Sequence, residues 1–275
     1  MKEEKEIQVF LVFKKYLKRC NVIFLNFLKE LNNPMNKKIE DKLDIQLNHN
    51  LNLISTYLER NTIEEYKEIF SGDPVFEIFG LTDDKFLKKR IIAGLANSIA
   101  TNLGRFTDKA TKIIFTEAFN IPMDQFLVKI EIDSNGKKEI EEVDGFITFD
   151  NIPESWKKHF DKSLQQYHSK CKELIKKPIG FGFEFRGRYG KNDDSLLQKD
   201  EHMSSALLNK NVIPVLGIFS TSNAQGSIKR LQKSWLILTG HETTDFIKEL
   251  TDFDLIAYLQ SRKHKIDKVM KIIES

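Results

Sequence analysis

The chain has 275 residues, of which 40% are hydrophobic, and its 43 basic and 40 acidic residues give a formal net charge of +3. That composition supports a well-buried core, contains no run of the roughly 18–20 apolar residues that a membrane span needs, and permits nucleic-acid binding without requiring it. Only two cysteines occur, Cys20 and Cys171, and they show no pattern of a disulfide framework or a zinc site. The lack of a membrane-spanning run predicts a soluble protein, and the lack of a signal-peptide cleavage pattern predicts a cytoplasmic one.

The first part of the chain carries apolar residues at helical spacing. The stretch from Ile7 to Leu31 is apolar but interrupted by lysines, which predicts an amphipathic helix without a signal-peptide cleavage pattern. Breaks fall at Asn33-Pro34 and at Ser71-Gly72-Asp73-Pro74, and the second is a strong turn signal. We therefore predict a helical N-terminal region over residues 1–80 and one core domain over residues 81–275.

The middle of the chain changes from helical to strand periodicity. Thr82-Asp83-Asp84 opens a long helix. The segments Phe126–Ile132 and Glu139–Phe149 then alternate as strands do, and Asn135-Gly136 between them is a two-residue hairpin signal. A polar helix is predicted to follow from about Pro153 to Lys176.

The last part of the chain alternates strands with helices. Pro178 introduces a third strand, Gly180–Arg186, in which three phenylalanines face one way and Glu184 faces the other. The remaining predicted elements are a helix capped by Ser195 and Gln198 and ending near Asn209, a buried strand Val212–Phe219 that contains Pro214, a short helix around Ile228–Trp235, and a C-terminal helix opened by Thr251 and Asp254. This order predicts an α/β (α+β) fold, with a central mixed β-sheet flanked by helices and a right-handed crossover between the third and fourth strands.

Two carboxylates interrupt neighbouring predicted strands. Asp144 stands in Val143-Asp144-Gly145, where the glycine would leave room for a phosphate or a metal, and Glu184 stands between two phenylalanines. Mg²⁺ takes oxygen ligands and usually binds through one or two carboxylates plus substrate phosphate. The pair therefore predicts a magnesium site, whereas the simpler alternative is that Asp144 caps a turn and Glu184 pairs with Arg186.

A polar segment rich in possible DNA contacts follows Glu184. We expect phosphate contacts from Arg188, Lys191 and Lys199, and base contacts from Asn192 or Gln198, with His202 nearby. Tyr189 is the one aromatic residue that this segment offers for stacking on bases. The alternative is an ordinary capped surface helix, with Lys199, Asp200 and Glu201 on its solvated face.

This layout resembles the PD-(D/E)XK nuclease superfamily, and specifically the type II restriction endonucleases. In that family an Asp from one strand and an (Asp/Glu)-x-Lys motif from the next form the metal site. On this pattern Asp144 matches the first acid, Glu184 the second, and Arg186 occupies the lysine position. The similarity extends over about residues 92–259 and includes Ser220-Thr221-Ser222-Asn223. The resemblance implies a restriction-endonuclease-like core with a Mg²⁺ site.

The sequence departs from the family pattern in two places. Val143 stands where the family often has proline, and Arg186 replaces the lysine. A guanidinium stays protonated in proteins, so Arg186 cannot act as a general base, although it could polarise water or hold a phosphate. Lys191 or Lys199 could instead supply the ammonium. The family often has a further acid on the helix before the hairpin, for which Asp108 and Glu117 are the candidates.

The resemblance implies a Mg²⁺-dependent endonuclease that hydrolyses phosphodiester bonds in double-stranded DNA at specific sequences. Palindromic sites mirror two-fold symmetry, so a homodimer is expected, and a companion DNA methyltransferase is implied. Two alternatives remain. One is a repair or structure-specific nuclease of the same fold. The other is a non-catalytic DNA-binding or protein-interaction module, in which Glu184 and Arg186 only pair with each other.

Overall fold

The computed structural model describes residues 33–70, 81–134, 137–152, 177–189, 194–223 and 225–274, and single positions at 78, 154, 157, 161 and 175. The predicted helix Ile7–Leu31 and the turns at Ser71–Pro74 and Asn135-Gly136 lie outside these residues, as does nearly all of the helix Pro153–Lys176. Within the described part, no helix is long and apolar enough to cross a membrane.

Helices and strands alternate through the described part. In chain order they are α1 (Pro34–Arg60), α2 (Ile63–Phe70), α3 (Asp84–Phe119), α4 (Met123–Phe126), β1 (Val128–Ser134), β2 (Lys137–Val143), β3 (Gly145–Thr148), β4 (Gly180–Arg186), α5 (Asp194–Asn209), β5 (Val212–Ile218), α6 (Gln225–Leu231), β6 (Leu236–Thr239), α7 (His241–Thr251), α8 (Leu255–Ser261) and α9 (Lys263–Glu274).

Side-chain caps set the starts of the two long helices. Asn33 accepts a hydrogen bond from the main-chain N–H of Met35, and Pro34 follows at the first helical position. Asp83 caps α3 by accepting from the N–H of Phe86 at 2.7 Å. The start of α3 lies where the sequence predicted it, and α1 begins at Asn33-Pro34, where the sequence predicted a break. Between them, α1 buries Leu43 and Leu47 in the same hydrophobic cluster as residues of α3, so the N-terminal helix shares the main core.

The strands form two sheets. A four-stranded sheet has the order β3-β4-β5-β6, in which β3 and β4 are antiparallel and the other neighbours are parallel. The hairpin β1-β2 forms a separate two-stranded sheet. The prediction of a mixed sheet flanked by helices is therefore confirmed, and β4 passes through α5 to its parallel neighbour β5, as the crossover requires.

Four details of the predicted elements are wrong. The segment Glu139–Phe149 is not one strand, because the chain bends at Asp144 and continues into the other sheet. Ser195 lies inside α5, which already begins at Asp194. The short strand β6 was not predicted, because its four residues directly follow a helical pattern. Thr251 ends α7 instead of opening the next helix, although Asp254 does cap α8.

Two hydrophobic clusters cover the two faces of the four-stranded sheet. The larger lies between the sheet and α1, α3, α7 and α8, and Phe181, Phe183 and Phe185 of β4 all belong to it, as predicted. The smaller lies under α5, α6 and the hairpin. Between the phenylalanines, the alternate residues of β4 face α5, so a Cβ on Gly182 would meet Leu207. This second face carries Glu184.

Candidate active site at the edge of the sheet

Asp144 sits at the bend between β2 and β3, beside the edge strand of the main sheet. Gly145 pairs with Phe183, and this antiparallel register, extended by one residue, sets Asp144 opposite Glu184. The main-chain N–H of Phe185 donates to Asp144 Oδ2 at 2.9 Å and fixes the carboxylate against β4. The sequence-predicted pair of acids is thus brought together by strand pairing.

Gly145 has a different role from the one predicted. A Cβ at this position would overlap the Phe126 ring, which fills the space beside the backbone. The missing side chain at Gly145 therefore leaves room for the Phe126 ring of the core, and not for a phosphate or a metal.

Glu184 is buried, at 3% exposure, and its two oxygens differ in their surroundings. Oε1 contacts Arg186 Nη1, whereas Oε2 has no hydrogen-bond partner in the described part of the chain. Arg186 Nη1 also lies 3.9 Å from Asp144 Oδ2. Burial and the nearby charge of Asp144 raise the pKa of Glu184 to about 8. This carboxyl therefore exchanges its proton near neutral pH.

Asp200 of α5 completes the inner side of the site. It is fully buried and accepts hydrogen bonds from Arg186 Nη2, at 2.8 Å, and from the Tyr189 hydroxyl. The Trp235 indole N–H donates to its main-chain carbonyl at 2.9 Å. The alternative that placed Asp200 on the solvated face of a surface helix is wrong for this residue. The suggestion that Tyr189 stacks on a base is also wrong, because only 1% of this residue is exposed.

Lys112 of α3 contacts Asp144 at Oδ1, whereas Arg186 lies near Oδ2. Its Nζ lies 3.1 Å from Asp144 Oδ1 and 2.9 Å from Asp108 Oδ1, one helical turn earlier. Of the two candidate extra acids, Asp108 therefore adjoins the site. Glu117 lies away from it and pairs with Lys38, at 2.6 Å, and Lys42 on α1.

We call these six residues the edge cluster: Asp108, Lys112, Asp144, Glu184, Arg186 and Asp200. Its carboxylates outnumber its cations, so the site favours a further positive charge. Burial opposes the charge of Lys112, but the carboxylates of Asp144 and Asp108 prevail and raise its pKa. Glu184 and Asp200 likewise raise the pKa of Arg186. Both cations therefore stay protonated, and neither can act as a general base.

The residues predicted to contact DNA lie along the surface next to the edge cluster, as far as they are described. Arg188 and Gln198 are exposed, and His202 is half-buried. Lys199 pairs with Glu141 of β2 at 2.6 Å and does not reach the carboxylates. Lys191 and Asn192 lie outside the described residues.

The carboxylates of the edge cluster are oxygen donors of the kind that a magnesium ion takes. Among the described residues, no group of three or more His, Cys, Asp or Glu side chains is arranged to hold a metal. Mg²⁺ can nevertheless bind through two carboxylates plus substrate phosphate, and Asp144 and Glu184, which the strand register sets opposite each other, are two such carboxylates. Comparison of the chain with protein-family models, curated proteins and solved structures gives no match.

Proposed function

We propose that this chain is a Mg²⁺-dependent endonuclease that hydrolyses phosphodiester bonds in double-stranded DNA. The observation that carries the proposal is the buried Glu184, whose Oε2 has no hydrogen-bond partner among the described residues and which lies opposite Asp144 at the sheet edge. A buried, unpaired carboxylate oxygen costs free energy in the folded chain. A cation bound there would recover that cost.

In the proposed reaction, some residues of the edge cluster are metal ligands and others are fixed positive charges. Asp144 and Glu184 would hold the ion, which when bound supplies a Lewis acid and an activated water. Arg186 and Lys112 stand on either side of Asp144 and keep their protons. Two fixed positive charges at this place would stabilise a phosphate as negative charge develops on it. Asp200 positions Arg186 through the hydrogen bond from Nη2.

Within this reaction class we propose a type II restriction endonuclease. Its recognition surface would follow β4 through Arg188 and Gln198, which are exposed next to the edge cluster. The proposal includes a homodimer on a palindromic site and a companion DNA methyltransferase that protects the host's own sites. A repair or structure-specific nuclease would use the same cluster on a different DNA shape.

Digestion of phage DNA tests this proposal. The purified chain is incubated with the DNA in Mg²⁺ or in EDTA, and the fragment ends are mapped. Discrete ends at one short sequence, seen only with Mg²⁺, are expected for a restriction enzyme, whereas cuts at junctions or nicks would indicate the structure-specific alternative. Asp144→Asn is the matched control, because it removes the charge and keeps the shape. No cutting by the wild-type chain under any divalent cation would reject the nuclease.

A second candidate is a non-catalytic DNA-binding or protein-interaction module. The ion pair between Glu184 and Arg186 favours it, because both terminal nitrogens of Arg186 are already engaged by acids, Nη1 by Glu184 and Nη2 by Asp200. Here the edge cluster would only join α5 to β4. DNA binding without cleavage, and no effect of Mg²⁺ on thermal unfolding, would support this candidate over the nuclease.

A further inference from the structure

A shallow cleft opens at the same end of the main sheet as the edge cluster. Its volume is about 390 Å³, within the range of small-ligand sites. It is lined by Thr221 and Asn223 of the loop after β5 and by Thr239 at the end of β6. Because β4, β5 and β6 are parallel, their carboxyl ends meet at this edge, where ligands of open α/β sheets commonly bind.

The chemistry of the other wall suits a nucleotide. Helix α6 and the residue after it present Gln225, Lys229 and Gln232, all exposed. Side-chain amides pair with the adjacent donor and acceptor of a base edge, adenine above all, and an ammonium pairs with phosphate. Ile228 adds an apolar surface against which a base can lie. Lys229 forms no ion pair with any of the described residues.

The cleft is connected to the edge cluster by hydrogen bonds. Asn223 Oδ1 accepts from the main-chain N–H of Tyr189 at 2.9 Å, and the Tyr189 hydroxyl donates to Asp200. Asp200 in turn holds Arg186. A ligand that moved the loop at Asn223 would therefore also shift the Arg186 guanidinium beside Asp144 and Glu184.

We propose that this cleft binds a nucleotide of the DNA, with the base edge on Gln225 and Gln232 and the phosphate on Lys229, and that it sets the base preference of the chain. The inference rests on the proposed action on DNA. It adds a recognition site outside the segment Arg186–His202.

Binding measured apart from cleavage tests the cleft. The full chain is equilibrated in Ca²⁺ with duplexes randomised at central positions, and the bound sequences are counted. The double variant Gln225→Ala/Gln232→Ala should lose roughly ten- to a hundredfold of the preference at one base position and keep its affinity for unselected DNA. Lys229→Ala should lower the slope of log affinity against log salt by about one.

The controls separate the cleft from the nuclease. Lys233→Ala, on the exposed residue next to Gln232, should change neither preference nor slope, and thermal unfolding should match the wild type for all variants. If the double variant keeps the base preference and still cleaves DNA, the nucleotide-binding role of the cleft is wrong and the nuclease proposal stands. Preference lost in the double variant, with no cleavage by any form, supports the cleft and rejects the nuclease. Binding of free dAMP that depends on the two glutamines, without DNA binding, overturns the DNA proposal; binding of neither overturns both.

Discussion

The substitution Glu184→Gln should make the metal-free protein more stable while it removes activity. In the unfolded chain the carboxyl loses its proton near the ordinary pKa of 4.5, whereas in the folded chain burial and Asp144 hold the proton up to about pH 8. The folded state therefore binds more protons over this interval, and wild-type stability falls as pH rises through it. Above about pH 8 both states are ionised, and the loss is constant.

The magnitude follows from the same interval. At pH 7 the cost of keeping the proton amounts to about 3 kcal/mol, since each pH unit contributes about 1.4 kcal/mol. Glutamine does not titrate and has nearly the same shape, so it escapes this cost. The amide fits less well than the carboxyl beside Arg186, which offsets part of the gain. We expect Glu184→Gln to raise the free energy of unfolding at pH 7 by about 1–3 kcal/mol.

Urea unfolding in EDTA at pH 5, 7 and 8.5 measures this difference. The advantage of the variant should be small at pH 5 and should grow toward pH 8.5. Glu139→Gln, on an exposed residue of β2, is the control and should show no such growth. In the same preparation, Mg²⁺ should stabilise the wild type and not Glu184→Gln.

The opposite result would refute the reasoning. A loss of about 3–5 kcal/mol at pH 7 would mean that Glu184 is ionised and serves as the required partner of Arg186, because removal of one member of a buried ion pair leaves the other uncompensated. The non-catalytic module would then account better for the edge cluster.

Asp144→Ala should abolish cleavage and leave DNA binding intact or tighter, because loss of a carboxylate also removes repulsion of phosphate; cleavage retained in a gel assay would exclude the site. Arg186→Ala should lower the cleavage rate by roughly a hundredfold or more, whereas Arg186→Lys should keep part of the wild-type rate. Equal, near-wild-type cleavage rates for both variants would show that this charge takes no part in the reaction. Lys112→Met should lower the single-turnover cleavage rate to an extent similar to Arg186→Ala, and Lys112→Arg should keep part of the wild-type rate. Lys199→Ala should lower the salt slope of DNA binding by about one, whereas Glu141→Gln, which frees Lys199, should not; an unchanged slope in Lys199→Ala would take this lysine off the interface.

Local signals were sufficient where one residue type decides the structure. Asn33 and Asp83 start helices because their side chains satisfy main-chain N–H groups that no helical carbonyl can reach. The alternation in β4 followed from its period of two, and it correctly directed three phenylalanines to one face and Glu184 to the other. Glu184, together with Asp144 on the neighbouring strand, could therefore be proposed from the sequence alone.

Tertiary contacts decided the rest. Asp200 lies three residues after Leu197 and three before Met203, on the buried stripe of α5, and this spacing was a sequence signal that could have marked it as buried. Lys112 gave no such signal, because its partner Asp144 is distant in the sequence and is reached only when α3 packs on the sheet. The bend that divides β2 from β3 likewise depends on sheet pairing and not on local preference.

The bend at Asp144 connects the hairpin to the carboxylates. Ile130 and Ile132 of β1 pack in one hydrophobic cluster with residues of α5, the helix that carries Asp200, and of β5 in the main sheet. Asp144 directly follows β2, and the main-chain N–H of Phe185 holds its carboxylate against β4. A partner or a DNA strand that displaced the hairpin would therefore change the spacing of the carboxylates without touching any of them.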